Sequence, residues 1–224
     1  MIPIRDEIPT RRFPLINYTL IALNVLVYLF QSMLGPNEQA LVYEFALIPF
    51  SFTTSISLGD ITDIFTSMFM HAGLAHIGGN MLYLWIFGDN VEDRMGRGRY
   101  LLFYLIGGIV ASLTHILTNP GSQIPTVGAS GAIAAVLGAY LVLYPRSRVL
   151  TLVPLGFFIR MTMLPASLVL GLWFVLQFFS GVMSLGGPDV GGVAFWAHIG
   201  GFVAGMLLAK VLARREDPLQ VRYW

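Results

Sequence analysis

An all-α membrane protein, built as a bundle of six membrane-crossing helices, is the fold class that the sequence predicts. Of the 224 residues 56% are hydrophobic and only 11% are charged, a composition too apolar for a water-soluble domain. The charges are spaced so that residues 13–37, 64–88, 100–145, 161–188 and 190–209 carry none. All thirteen Lys and Arg, moreover, fall on one side of the spans that these gaps define.

A helix needs about 20 apolar residues to cross the hydrocarbon, and each gap can hold one. The first gives a helix at 15–34. Thr10-Arg11-Arg12 ahead of it imitates an export signal, but Pro14 and the missing small-residue cleavage site favour a permanent span. The connection at 35–73 is long and carries Tyr43, Phe45, Phe50 and Phe52, so part of it is expected to lie in the interface. The second gap gives a helix at 74–91. The stretch 100–145 is broken by Asn119-Pro120-Gly121-Ser122-Gln123 and divides into helices at 99–118 and 128–144. The last two gaps give helices at 163–183 and 193–212.

Arg5, Arg11, Arg12, Arg94, Arg97, Arg99, Arg146, Arg148, Arg160, Lys210, Arg214, Arg215 and Arg222 then share a side, and the opposite loops hold Glu38, Glu44, Asp60, Asp63 and Asp189. The positive-inside rule puts both termini in the cytoplasm. The expected organisation is a cytoplasmic segment at 1–14, a membrane domain at 15–212 and a cytoplasmic tail at 213–224. The absence of cysteine removes disulfides, thiolate metal sites and cysteine nucleophiles. A net charge of +1 offers no surface for nucleic acid. The lipid bilayer is the expected partner, and a bacterial plasma (inner) membrane the expected location.

A polar side chain within hydrocarbon is costly enough to be a functional candidate. His76 and Asn80 lie four residues apart on one face of the second helix, with His71 just before it. Ser130 opens the fourth helix and His198 lies in the sixth. These three helices all enter from outside, so His76, Asn80, Ser130 and His198 fall in one layer roughly 5–10 Å below the outer surface. Gly128, Gly131, Gly138, Gly201 and Gly205 line the fourth and sixth helices and let their backbones approach. An imidazole within reach of a hydroxyl is the arrangement that activates a serine. No Asp or Glu lies in those two helices, so the expected unit is a Ser130–His198 dyad. Asn80, His76 and the Ser130 amide are available to stabilise an oxyanion. Two histidines and an asparagine without a carboxylate make a poor zinc site, and no metal or cofactor is expected. A transporter would place its polar groups near the midplane. A nucleophile elbow of the soluble hydrolase type would need strand before serine, where this chain has "TNPGSQIPTV".

Three stretches together resemble the rhomboid family of intramembrane serine proteases. "GASGA" at 128–132 is similar to the family's Gly-x-Ser-x-Gly, "HAGLAHIGGN" at 71–80 to its His-x4-His-x3-Asn, and "AHIGGFVAG" at 197–205 to its Ala-His-x2-Gly-x3-Gly. The resemblance implies a six-helix rhomboid-like bundle, Ser130 as nucleophile, His198 as general base, and His76, Asn80 and the Ser130 amide as oxyanion-hole donors. His71 and Gly128 are expected beside the site. The implied substrate is another protein's transmembrane helix, cut near its outer end; the fifth helix, with Trp173, Phe174, Phe178 and Phe179, is the expected movable wall. The alternative is a catalytically inactive relative that holds client helices. Many members carry an aromatic residue four positions after the serine that stacks on the histidine. Here that position is Ala134, so another residue must orient His198. The loop after the first helix also lacks the Trp-Arg pair often found there.

Overall fold

The computed structural model describes residues 1–156, 158–185 and 192–214. A strand, β1 (Ile2–Asp6), precedes α1 (Leu15–Met33). Three short helices fill the long first connection: α2 (Glu38–Phe45), α3 (Pro49–Thr54) and α4 (Leu58–Thr66). Then come α5 (Leu74–Met95), α6 (Arg97–Thr118), α7 (Ser130–Leu143), β2 (Arg148–Leu155), β3 (Phe158–Pro165), α8 (Ala166–Ser184) and α9 (Phe195–Leu212). Asp189 and the expected tail beyond residue 214 lie outside the described residues.

Four helices, α1, α6, α8 and α9, are long and apolar enough to cross a bilayer. Their outer faces are apolar as lipid requires: Leu26, Phe30, Leu176 and Phe179 are all exposed. The 22-residue α5 is long enough, but its last turns carry Asp89, Glu92, Asp93 and Arg94. With 14 residues, α7 is the shortest of the apolar helices, about 21 Å at 1.5 Å per residue. It is also the most enclosed, with Gly131 to Tyr140 buried without interruption among α5, α6, α8 and α9. A helix wrapped by other helices need not match the thickness of lipid.

Glycine sets how closely the central pair packs. A β-carbon at Gly205 of α9 would lie 1.9 Å from the Ala135 carbonyl oxygen of α7, and one at Gly138 would lie 2.0 Å from that of Phe202. Both distances are far inside van der Waals contact, so the backbones of α7 and α9 touch. This is the small-residue seam expected from the sequence, and it fixes one helix end against the other.

Two buried polar groups, Asn17 and Glu92, cross-link the bundle. Asn17 of α1 donates its amide to the Leu84 carbonyl at 3.0 Å and accepts from the Tyr100 hydroxyl at 2.8 Å, which ties α1, α5 and α6 together. Glu92, 3% exposed, accepts from the Ile16 and Asn17 amides at 3.2 and 2.8 Å. These are unsatisfied donors at the positive end of α1, where a carboxylate is favoured.

The all-α expectation is corrected by a three-stranded sheet. The connection between α7 and α8 is a β2–β3 hairpin, and β1 adds to it antiparallel, pairing Ile2 with Leu152 and Asp6 with Val149. Residues 163–165 therefore belong to β3 rather than to the start of the fifth long helix, and Pro165 caps α8, where a missing N–H costs nothing. The segment at 1–14 is held too, since Asp93 accepts from the Arg12 amide at 3.2 Å and the Thr10 hydroxyl bonds Asp89.

Asp6 ends β1 beside the C-terminal turn of α7, where the Tyr140 hydroxyl donates to its carboxylate. Burial outweighs that bond and pushes the Asp6 carboxyl up from 3.8 to about 6. A group whose folded-state pKa is raised favours the fold when protonated; that contribution is complete below about pH 4 and lost as pH rises through about 6. The Asp6→Asn variant is therefore expected to melt at a higher temperature than the wild type at pH 7.5, with the two converging at pH 4. Melting curves in detergent across that range check it; parallel curves at all pH values would remove Asp6 as the cause.

Candidate active site

Ser130 is the first residue of α7. Its Oγ lies 2.8 Å from Nε2 of His198 in α9, so the two residues expected to pair do so across the glycine seam. His198 is 8% exposed. Its other ring nitrogen, Nδ1, is 2.7 Å from Oε1 of Gln177 in α8. An amide oxygen can only accept, so Nδ1 carries the proton and Nε2 offers its lone pair to the serine hydroxyl. The Trp173 ring flanks the imidazole at 5.7 Å between centroids and 33° between planes. It supplies the aromatic neighbour that Ala134 does not.

The oxyanion candidates converge from α5. The Ala72 amide donates to His76 Nδ1 at 3.4 Å, which leaves the proton of this imidazole on Nε2. Gly128 faces that nitrogen: a β-carbon there would be 2.8 Å from His76 Nε2 and 3.6 Å from Asn80 Nδ2. Gly128 has φ +132°, a conformation that suits glycine, and with no side chain it leaves both donors open. The Ser130 amide, in the first turn of α7, has no partner within the helix. Three N–H groups thus border the space beside the Ser130 hydroxyl.

His71 is fully buried and Asn80 is 8% exposed. Asn80 Nδ2 lies 2.9 Å from His71 Nε2; the amide donates, which leaves its second hydrogen for the site. His71 is clamped in turn by Gln31 of α1, whose Oε1 accepts from the His71 amide at 3.1 Å and whose Nε2 donates to the His71 carbonyl at 3.3 Å. His71 thus stands behind Asn80 as its support. His76, Asn80, Gly128, Ser130, Trp173 and His198 line one open cavity of about 1260 Å³, together with Ser122, Pro125 and Trp196. It gives water a route to a serine surrounded by apolar helices.

Sequence reasoning missed Gln177 and Gln31, and it named Trp173 only as part of the movable wall, not as the neighbour of His198. Gln177 could have been noticed, because it is the one amide in "LWFVLQFFSG" and a polar group in an apolar span needs a partner. Its partner could not be read without the rotation of α8 about its axis. Gln31, near the end of the first span, gave the same kind of signal.

The sequence model of the Rhomboid domain matches residues 58–215, a stretch that includes every residue of this site except Gln31. The chain belongs to the rhomboid family. Among curated rhomboids it is 31% identical over 201 residues to the rhomboid protease GluP of Bacillus subtilis, covering 89% of this chain and 35% of that protein. It is 33% identical over 158 residues to the RHOMBOID-like protein 1 of Arabidopsis thaliana, covering 70% of this chain and 36% of that protein. To the presenilin-associated rhomboid-like protein A, mitochondrial, of Danio rerio it is 30% identical over 173 residues, covering 70% and 40% respectively. The chain thus spans well under half the length of these rhomboid relatives.

Proposed function

We propose that this rhomboid is an intramembrane serine endopeptidase that cleaves transmembrane helices of other proteins near their outer end. The observation that carries the reading is the 2.8 Å contact of Ser130 Oγ with His198 Nε2, on an imidazole whose other nitrogen already donates. As Oγ attacks the carbonyl carbon of the scissile peptide, its proton passes to Nε2 and the carbonyl oxygen becomes an oxyanion. His76 Nε2–H, the free Asn80 N–H and the Ser130 amide stabilise that charge. The protonated His198 then gives its proton to the leaving amine. Water from the cavity attacks the acyl-serine as His198 takes up its proton, and His198 returns that proton to Ser130 Oγ as the ester C–O bond breaks and the acid product leaves. A substrate helix must unwind to be cut, because the carbonyls of an intact helix are hydrogen-bonded and screened by side chains.

In this reading α1, α5, α6, α7, α8 and α9 are six spans and both termini are cytoplasmic. Residues 1–14 and 213–224 then flank a membrane domain at 15–212, and the protein resides in a bacterial plasma membrane. The thirteen basic residues on one side support that orientation, and the enclosure of α7 accounts for a span of 14 residues.

A serine-directed fluorophosphonate tests the proposal. The wild type in detergent should be labelled and Ser130→Ala should not; equal labelling of the two proteins would overturn it. In the same assay Asn80→Ala should react roughly 100-fold more slowly, the scale of one lost oxyanion donor. An unchanged rate would remove Asn80 from that role.

A further inference from the structure

We infer that Gln177 is the positioning residue that holds His198 in its reactive tautomer, and that it does so only while α8 is seated against α9. The inference rests on the Ser130–His198 reading above and extends it to a residue outside the family motifs. A histidine that takes a proton at Nε2 must carry its own at Nδ1. In many serine enzymes a carboxylate secures this state, but α7, α8 and α9 hold no Asp or Glu. The other titratable groups that act on His198 are His76 of α5 and His115 of α6, and neither provides an oxygen acceptor. Gln177 Oε1, 2.7 Å from Nδ1, is the acceptor that the structure supplies. A neutral amide fixes the tautomer without placing a buried charge beside the base.

The restraint comes from a single helix. Trp173 and Gln177 are four residues apart, so both project from one face of α8 and meet the same imidazole. The opposite face bears Leu168, Leu172, Val175, Leu176, Phe179 and Met183, all exposed. Near its outer end α8 is joined to α9 by the Trp196 indole N–H, which donates to the Gly181 carbonyl at 3.1 Å. Moving α8 outward would withdraw amide and ring together, leaving His198 free to rotate or to carry its proton on Nε2. The base is thereby active when the helix beside it is closed.

The test compares full-length wild type, Gln177→Leu and Gln177→Glu in detergent, following fluorophosphonate reaction rate, thermal stability and ¹⁵N-histidine NMR. Wild-type His198 should show the Nδ1–H tautomer. Gln177→Leu, close in size and apolar, should keep its melting temperature, lose that tautomer and react about 10- to 100-fold more slowly, part of the roughly 10²–10⁴ supplied by a general base. Gln177→Glu restores the acceptor, so it should regain most of the rate and move the pH midpoint of labelling upward by about one unit or more. Wild-type speed in Gln177→Leu, Gln177→Glu as slow as Gln177→Leu, or a wild-type His198 protonated on Nε2 would each overturn the inference. Failure of the wild type to label at Ser130 would count against the proposed function instead, and the tautomer measurement would still decide the role of Gln177.

Discussion

Cleavage of a reporter transmembrane helix by the Ser130→Ala protein is expected to fall to the uncatalysed background, with the fold unchanged. The substitution removes one oxygen at the first position of α7, where alanine is as good a helix former as any. It also removes one hydrogen bond, to a His198 nitrogen that lines the cavity, worth about 1 kcal/mol. The chemical loss is far larger. Without the hydroxyl there is no acyl-enzyme, and in soluble serine proteases losing the nucleophile costs about 10⁶ in turnover. His198→Ala should be nearly as severe, because serine and base act as a unit and their losses do not add. Gel analysis of the cut reporter, with melting curves as the folding control, measures both effects. Cleavage above background by a folded Ser130→Ala protein would mean that another group is the nucleophile.

The second large effect is expected far from any reacting atom. Gly205→Val places a branched side chain where a β-carbon already lies 1.9 Å from the Ala135 carbonyl oxygen. The conflict is with backbone, which cannot rotate aside, so α7 and α9 must separate by more than an ångström. Overpacking of this kind costs about 1–3 kcal/mol or more. Ser130 and His198 sit at the N-terminal end of the same seam, and a misplacement of about 1 Å can reduce rate about 100-fold. The variant should therefore melt well below the wild type and, where it stays folded, react with the fluorophosphonate at least about 100-fold more slowly. Gly171→Ala in α8, with no atom within 4 Å of the added carbon, is the control and should change neither. Wild-type melting and labelling in Gly205→Val would refute the seam as the device that aligns the pair.

Much of this architecture was legible because hydrocarbon tolerates so few sequences. A helix expected at 15–34 is Leu15–Met33, and one expected at 193–212 is Phe195–Leu212; charge-free length alone located both. The pairing of Ser130 with His198 was legible for a related reason, since polar side chains are rare in such helices and those at equal depth tend to meet. The sheet was not. Its strands are 5 to 8 residues long and bear Arg5, Asp6, Arg148 and Arg160, so they vanish in any window of about 20 residues. Val149, Thr151 and Val153, β-branched at alternate positions of "RVLTLV", were there to be read, but one of the two partner strands, β1, lay more than 140 residues away. The supports behind the site, Gln177 on His198 and Gln31 on His71, depend on helix rotation, a quantity that depth and spacing leave open.

The pairing of β1 with β2 has a consequence for biogenesis. Ile2 finds its partner at Leu152, so during synthesis β1 waits without a strand to join until α1, α5, α6 and α7 have been made. The pairing thus joins a strand made before four of the long helices to one made after them. A bulky fusion that keeps β1 from docking should leave helix insertion intact while exposing Tyr140 and the hairpin to proteases, a late-assembly fault distinct from a failure to insert.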